Sequence, residues 1–218
     1  MNKKVLITGC SRGLGKSLLE EFSLKGYKVF PHFRNQCKIK YANKIIGNIN
    51  EIKTINLIER KIKENDVDIF INNAGVFSNK DFFKMTDQEI QDLISTNLLA
   101  PILLTKRILE IFLNRKRGII ININSLAFQN PSDKEIVYTA SKFGLTGFSK
   151  ALQIKLVNSG VQIKDFFIGK IQSDKFKNLD NFQSLLQPKE VSNFIIESLE
   201  NSYNSFNCNE YFIRRKYN

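Results

Sequence analysis

The sequence predicts a doubly wound α/β domain, with a parallel sheet of about seven strands flanked by helices. Three observations predict it. A short apolar run, Val5-Leu6-Ile7-Thr8, feeds a glycine-rich turn, Gly9-Cys10-Ser11-Arg12-Gly13-Leu14-Gly15, and the chain from Lys16 to Phe22 then turns helical. Apolar runs of strand length recur at 67–71, 118–124 and 161–168, with helical stretches between them. Strands alternating with helices imply parallel pairing, with both faces of the sheet covered. At 218 residues, with no repeat and no linker, residues 1–218 are expected to form one domain.

The first strand is expected at about 3–8 and the first helix at 14–25, closed by Gly26. Lys28-Val29-Phe30 starts a second strand, which Pro31 should stop early. Residues 35–43 are polar and predict a loop, and Lys44-Ile45-Ile46-Gly47 a weak third strand. Ile52, Ile55, Ile58 and Ile62 mark a helix over 51–64. Val67 to Ile71 is a strong strand, ended by Asn72-Asn73-Ala74-Gly75. After a loop, Thr86 and Glu89 form a capping-box signature for a helix running to about Asn114. Pro101 should bend that helix. A buried strand over 118–124 ends at Ser125, and a long helix follows over 135–158. The strand at 161–168 leads to a polar, compact loop at 169–187. A helix opened by Pro188 and a final strand at 210–213 complete the chain.

Composition narrows the function. The net charge is +12, yet the lysines are scattered and no nucleic-acid-binding motif accompanies them. No apolar run reaches the roughly 18 residues of a membrane span. Cys10, Cys37 and Cys208 lack metal-like spacing, which predicts a reducing cytoplasm. His32 is the single histidine, so a histidine-based metal site or catalytic triad is not expected.

Chemistry should sit beyond the carboxyl ends of the strands. The glycine-rich turn belongs there. Its glycines let a pyrophosphate approach the backbone, and the helix that follows offers free N–H groups and partial positive charge. Its spacing is Gly-x3-Gly-x-Gly. Three polar sets fall in the same region: Ser125 at a strand end, Tyr138 and Lys142 four apart on the next helix, and Asn97 on the helix before.

Taken together, Thr8–Gly15, Asn72-Asn73-Ala74-Gly75, Asn97, Ser125 and Tyr138-Thr139-Ala140-Ser141-Lys142 resemble the short-chain dehydrogenase/reductase family. The resemblance is strong to about residue 168 and weaker beyond. It implies a Rossmann fold and hydride transfer between a nicotinamide cofactor and a carbonyl or secondary alcohol. It assigns catalysis to Asn97, Ser125, Tyr138 and Lys142. It assigns cofactor binding to Gly9, Ser11, Arg12, Gly13, Leu14, Gly15, Arg34, Asn48, Asn73, Ala74, Gly75, Tyr138, Lys142, Gly169 and Ser173. Lys142 is expected to hold the nicotinamide ribose, and Asn97 a water linking Lys142 to solvent. No metal is expected. Homodimers or homotetramers are expected, joined through the helices near 86–114 and 134–158 by residues such as Leu98, Leu99, Ile102, Phe143, Phe148 and Leu152.

The chemistry also follows from the residue types. Carbonyl reduction needs a proton donor held on the oxygen while hydride reaches the carbon. A tyrosine titrates near pH ~10, and a nearby cation lowers that value; a shift of ~3 units corresponds to about 4 kcal/mol. Lys142 is placed to supply the cation, Tyr138 to act as acid or base, and Ser125 to bond the reacting oxygen.

Phe33 stands where an acid would bond a ribose diol, and Arg34 and Arg12 suit a 2′-phosphate, so NADP(H) is expected over NAD(H). Three departures from the family pattern stand out. The chain between Arg34 and Asn48 is short for a helix, Asn48 replaces an acid, and Ile168-Gly169 with Ser173 replaces a Pro-Gly and a threonine. Loops 76–86, 126–134 and 169–187 should form the mouth, with Phe77, Phe82, Phe83, Phe128, Phe176 and Phe182 as an apolar floor. Lys80, Lys84, Lys134, Lys170, Lys175 and Lys177 should form a basic rim that suits an anionic 3-oxoacyl or sugar-derived substrate. Two other readings share the fold: an epimerase or dehydratase using nicotinamide transiently, and a cofactor-binding regulator.

Overall fold

The structure is a computed structural model, and it describes residues 3–36, 41–173, 176–178, 180–200 and 208–215. Cys37 and Lys175 lie outside the described residues. Seven strands form one sheet in the order β3-β2-β1-β4-β5-β6-β7, and every pairing is parallel. They are β1 (Lys4–Ile7), β2 (Lys28–Phe33), β3 (Ile45–Ile46), β4 (Ile69–Asn72), β5 (Gly118–Ser125), β6 (Val161–Ile168) and β7 (Glu210–Ile213). The helices are α1 (Gly13–Leu24), α2 (Ile52–Asn65), α3 (Asp87–Ile94), α4 (Ala100–Arg115), α5 (Ile136–Lys155) and α6 (Pro188–Glu200). This is the predicted doubly wound, Rossmann-like architecture.

Two-residue periodicity divides the core between the faces of the sheet. Val5 and Ile7 point to one side, where Leu18 and Phe22 of α1 and Ile195 and Ile196 of α6 cover them. Leu6 points to the other, joining Ile58 of α2 and Leu104, Ile108 and Phe112 of α4. Each such side chain, fully buried, stabilises the fold by ~1.5–3 kcal/mol. Because every crossover returns to a parallel neighbour, all the carboxyl strand ends open on one edge.

β2 runs through Pro31, which the sequence argued against. The Lys28 N–H and the His32 carbonyl both bond toward β1, so the odd residues face β3. The missing Pro31 N–H therefore faces the side where β3 pairs only from His32 onward. No ladder bond is lost. Between β2 and β3 the described residues 34–36 and 41–44 contain no helix, and residues 37–40 lie outside the described residues.

The predicted long helix over 86–114 is interrupted. Thr86 and Glu89 form the capping box, with both reciprocal bonds present. A π-helical turn at Ser95–Leu99 then separates α3 from α4. Pro101 explains it. Its ring clashes with the carbonyl four residues back, that of Asn97, and it has no N–H to offer that carbonyl. One wider turn relieves the clash, and the helix continues.

Candidate active site

The glycine-rich turn is built by close approach. Gly9 has φ +75°, and a Cβ there would sit 2.8 Å from the Ala74 Cα. A Cβ on Gly15 would collide with the Gly9 carbonyl and the Asn73 amide. The segment after β4 is clamped against this turn. The Thr8 hydroxyl accepts the N–H groups of Asn73 and Ala74, each at 3.0 Å. The Asn73 amide donates to the carbonyls of Thr8 and Gly9 at 2.7 and 3.1 Å. Asn73 and Ala74 therefore shape the turn.

At the start of α1, none of the residues in the first turn is acidic, and the Arg12 side chain does not cap the helix. The helix thus presents its N–H groups and positive end to the strand-end edge, beside exposed Ser11, Arg12 and Gly13. A turn packed so closely that a side chain at 9 or 15 would collide with the chain, leading into an uncapped helix start, fits a dinucleotide pyrophosphate.

A cleft of about 370 Å³ lies between the segments that follow β2, β3 and β4, lined among others by Arg34, Asn48, Val76, Phe77, Met85 and Thr96. Arg34 follows β2 directly and is exposed. Phe33 is fully buried. Among the described residues neither Arg12 nor Arg34 makes an ion pair. Asn48 is half-buried, and its side chain accepts the Asn50 N–H at 3.2 Å.

Ser125, Tyr138 and Lys142 converge at the end of β5. The Ser125 hydroxyl accepts the Ala127 N–H at 3.1 Å and hydrogen-bonds the Tyr138 phenol. The Lys142 ammonium donates to the Ile123 carbonyl at 2.9 Å and lies 5.9 Å from the centre of the Tyr138 ring. Burial raises the Tyr138 pKa, the Ser125 bond pulls it down, and Glu135 pushes it up. Burial also lowers Lys142 to about 8, against the pull of the Asp165 carboxylate.

Asn97 sits in the π-helical turn and is 1% exposed. Its side chain accepts the Val76 N–H and donates to the Val76 carbonyl, both at 2.8 Å. It also donates to Ser141 at 3.2 Å, and the Ser141 hydroxyl donates to the Tyr138 carbonyl at 2.6 Å. Asn97 thus ties the loop after β4 to the helix that carries Tyr138.

Below the site, α5 docks on the sheet through polar groups that the sequence reading passed over. Asn124 donates to Thr146 at 3.0 Å, and Thr146 donates to the Lys142 carbonyl at 2.8 Å. Asn122 donates to Ser149 at 2.6 Å, and Ser149 donates to Asp165 at 2.9 Å. Gln153 donates to Asp165 at 3.0 Å. Asp165 is fully buried, and burial, with Glu210, raises its pKa to about 7 against the pull of Ser149, Asn122 and Asn124. The signal in the sequence is an Asp inside an apolar strand, opposite a helix whose residues 142, 146, 149 and 153 share one face.

The expected mouth is only partly assembled. Phe77 packs edge-on against Tyr138 at 5.0 Å and against Phe176 at 5.6 Å. Phe128 instead joins Phe143, Phe167 and Phe212 at the β6–β7 edge. Phe82 and Phe83 are 40% and 93% exposed. Lys80 is engaged by Glu89 at 2.7 Å. The 169–187 loop is closed at its base by an Ile171–Leu186 bridge. There Gly169 donates its N–H to the Ile213 carbonyl at 2.9 Å, and the Ser173 carbonyl accepts the Phe176 N–H at 2.9 Å.

Among the described residues no helix is long and apolar enough to cross a membrane, and no cluster of His, Cys, Asp or Glu suits a metal. The 3-oxoacyl-(acyl-carrier-protein) reductases FabG of Buchnera aphidicola and Escherichia coli are 31% and 29% identical to the chain. Each match spans 83% of this chain and 78% of the relative. A metagenomic short-chain oxidoreductase solved with NADP superposes with a TM-score of 0.83 at 24% identity, over 99% of this chain and 98% of that one. A 3-ketoacyl-(acyl-carrier-protein) reductase from Brucella melitensis, complexed with NADH, superposes at 0.85 with 18% identity, over 97% and 96%. These two show the shared fold. The short chain dehydrogenase family matches residues 3–184, most of the chain, and the protein belongs to that family.

Proposed function

We propose that the protein is an NADP(H)-dependent reductase acting on a carbonyl, with a 3-oxoacyl thioester as the favoured substrate class. The observation that carries the reading is the convergence of Ser125, Tyr138 and Lys142 at the end of β5, on the same strand-end edge of the sheet as the glycine-rich turn. The oxidoreductase class comes with family membership. The cofactor and the substrate are our reading.

When bound, the dinucleotide supplies or accepts the hydride. The chain does the rest. Gly9, Ser11, Gly13, Leu14 and Gly15 hold the pyrophosphate against the start of α1. Ala74, Gly75 and Asn48 border the adenosine, and Gly169 and Ser173 border the nicotinamide. Arg34 and Arg12 grip a 2′-phosphate, for which buried Phe33 leaves no competing carboxylate. Tyr138 donates its phenolic proton to the substrate oxygen in reduction and takes it back in oxidation. Ser125 donates to the same oxygen and stabilises the charge that develops there. Lys142 holds the nicotinamide ribose, and its positive charge favours the tyrosinate. Asn97 offers its carbonyl, which Pro101 cannot bond, to a water that connects Lys142 with solvent. Phe77, packed against Tyr138 and backed by Phe176, forms an apolar wall that suits an acyl chain.

The relatives named FabG reduce 3-oxoacyl groups on an acyl carrier protein, and their similarity supports this substrate class. The charge of +12 suits an acidic or phosphate-bearing carrier. We place the reaction in the cytoplasm and expect a homodimer or homotetramer. Leu99 and Phe143, each 48% exposed, are the apolar residues offered for the contact. Leu98 packs within the chain instead, into the notch at Gly144. The test is NADPH oxidation against ketones, 3-oxoacyl thioesters and keto-sugars. Turnover with a 3-oxoacyl thioester supports the reading, and turnover confined to another class refutes the substrate assignment.

A further inference from the structure

His32 is the single histidine of the chain, it is 1% exposed, and none of the proposed chemistry uses it. Its ring joins two segments of the cofactor site. Nδ1 lies 3.3 Å from the Gly9 backbone nitrogen, and Nε2 lies 2.9 Å from the Gly47 carbonyl. A backbone N–H only donates and a carbonyl only accepts. Nδ1 must therefore be bare and Nε2 protonated, which fixes the neutral Nε2–H tautomer. The His32 carbonyl adds a third tie, accepting the Cys10 N–H at 2.9 Å. The glycine-rich turn is thus held to the end of β2, just before Phe33 and Arg34, and to Gly47, just before Asn48.

We propose that His32 is a positioning residue for the dinucleotide site, and that cofactor binding and protonation of its ring oppose each other. This rests on the cofactor reading above. A second proton can go only on Nδ1, where it meets the Gly9 N–H as donor against donor. That breaks the tie to the turn and leaves a buried cation. Among the described residues the ring's hydrogen-bond partners are the Gly9 N–H and the Gly47 carbonyl, and neither is an anion. Ile45 of β3 lies beside His32 in register, the Gly47 carbonyl just after β3 meets the ring, and Gly9 and Cys10 meet the residue from the turn. The Cys10 thiol donates to the Ile7 carbonyl at 3.2 Å. Among the described residues the charged groups flanking His32 and the turn, Lys28, Arg34 and Arg12, are exposed cations. Burial pushes the ring below the ordinary histidine value, and the Gly47 carbonyl pulls it partway back. At pH 7 the ring is neutral and the site is formed.

Linkage fixes the counterpart. If protonation weakens cofactor binding by some factor, bound cofactor weakens protonation by the same factor. With a single histidine, nitrogen-15 NMR reads one ring without interference. The 218-residue chain is titrated from pH 8 to pH 5, free and saturated with NADP+. In parallel, NADPH Kd is measured at pH 7.5 and 5 for the wild type and for His32→Gln. We expect the Nε2–H tautomer at pH 7.5 and a midpoint that falls by about half a unit with cofactor. The wild-type Kd should then rise about twofold more on acidification than that of the variant. The 2′-phosphate also titrates near pH ~6, but equally for both proteins. An Nδ1–H tautomer, a cationic ring at pH 7.5, or a midpoint indifferent to saturating cofactor overturns the proposal. The ring spectra need no variant, so a poorly folded His32→Gln leaves them decisive. Failure of any nicotinamide dinucleotide to bind is a different result and overturns the proposed function as well.

Discussion

Replacing Asp165 with Asn should make the protein more stable at neutral pH than at acid pH, relative to the wild type. Asp165 is fully buried, and its pKa rises from 3.8 to about 7. The folded value lies above the unfolded one. The carboxylate therefore costs nothing below pH 3.8, costs progressively more through the interval, and carries its full cost above about pH 7. A shift of that size corresponds to about 4 kcal/mol. Between pH 4.5 and 7.5 the part that changes is about 3 kcal/mol. Asn keeps an acceptor for Ser149 but turns an N–H toward the Gln153 amide, which costs ~1–3 kcal/mol at every pH. The diagnostic is the slope, since that offset is constant. Urea unfolding of both proteins at intervals from pH 4.5 to 7.5 measures it. The stability difference, variant minus wild type, should climb by about 3 kcal/mol across the range. A flat difference would mean that Asp165 ionises near its ordinary value, and the reasoning about its burial would fail.

Further outcomes follow from the same geometry. Gly15→Ala should raise the Kd for NADPH by tenfold or more (at least ~1.4 kcal/mol), because the new methyl meets the Gly9 carbonyl and the Asn73 amide; calorimetric titration reads this, and unchanged affinity would contradict the cradle. Arg34→Asp should weaken NADPH binding by roughly 1.5–3 kcal/mol while sparing NADH, since it removes a charge-assisted bond to phosphate; equal affinity of the variant and the wild type for NADPH would remove the phosphate assignment. Lys142 is lowered to about 8, so the ammonium that supports the tyrosinate is lost as pH rises through 8. In a pH–rate profile kcat/KM should turn over on the alkaline side near that value, and a profile rising smoothly past pH 9 would speak against it.

Much of this was legible because local signals and global fold agree. Val5 to Gly15 announces a strand, a turn that tolerates only glycine, and a helix start, each with its own residue chemistry. Ser125, Tyr138 and Lys142 were legible as a set because a strand end and one helix turn place them together. Other features needed three dimensions. Pro31 argues against a strand, but its missing donor faces the flank where β3 has not yet begun, and sequence does not say which flank is empty. Pro101 predicts a bend, while the chain absorbs it as a wider turn centred on Asn97. The phenylalanines of the loops were indistinguishable in sequence. Phe77 reaches Tyr138 and carries Phe176 on its other contact, whereas Phe128 is drawn to the aromatic stack of Phe167 and Phe212. The roles of Asp165 and His32 needed the fold for one reason. A buried polar group takes its meaning from partners distant in the chain, here Ser149 and Gln153 in one case and Gly9 and Gly47 in the other.

The most direct test of the central claim is NADPH oxidation with a 3-oxoacyl thioester, run side by side for the wild type and Tyr138→Phe. The substitution removes one hydroxyl and leaves the ring contact with Phe77. The account predicts turnover in the wild type, a loss of roughly 10²–10⁴ in kcat for the variant, and NADPH binding that is retained. Equal turnover by the two proteins would contradict it, because the proton would then come from a group other than Tyr138.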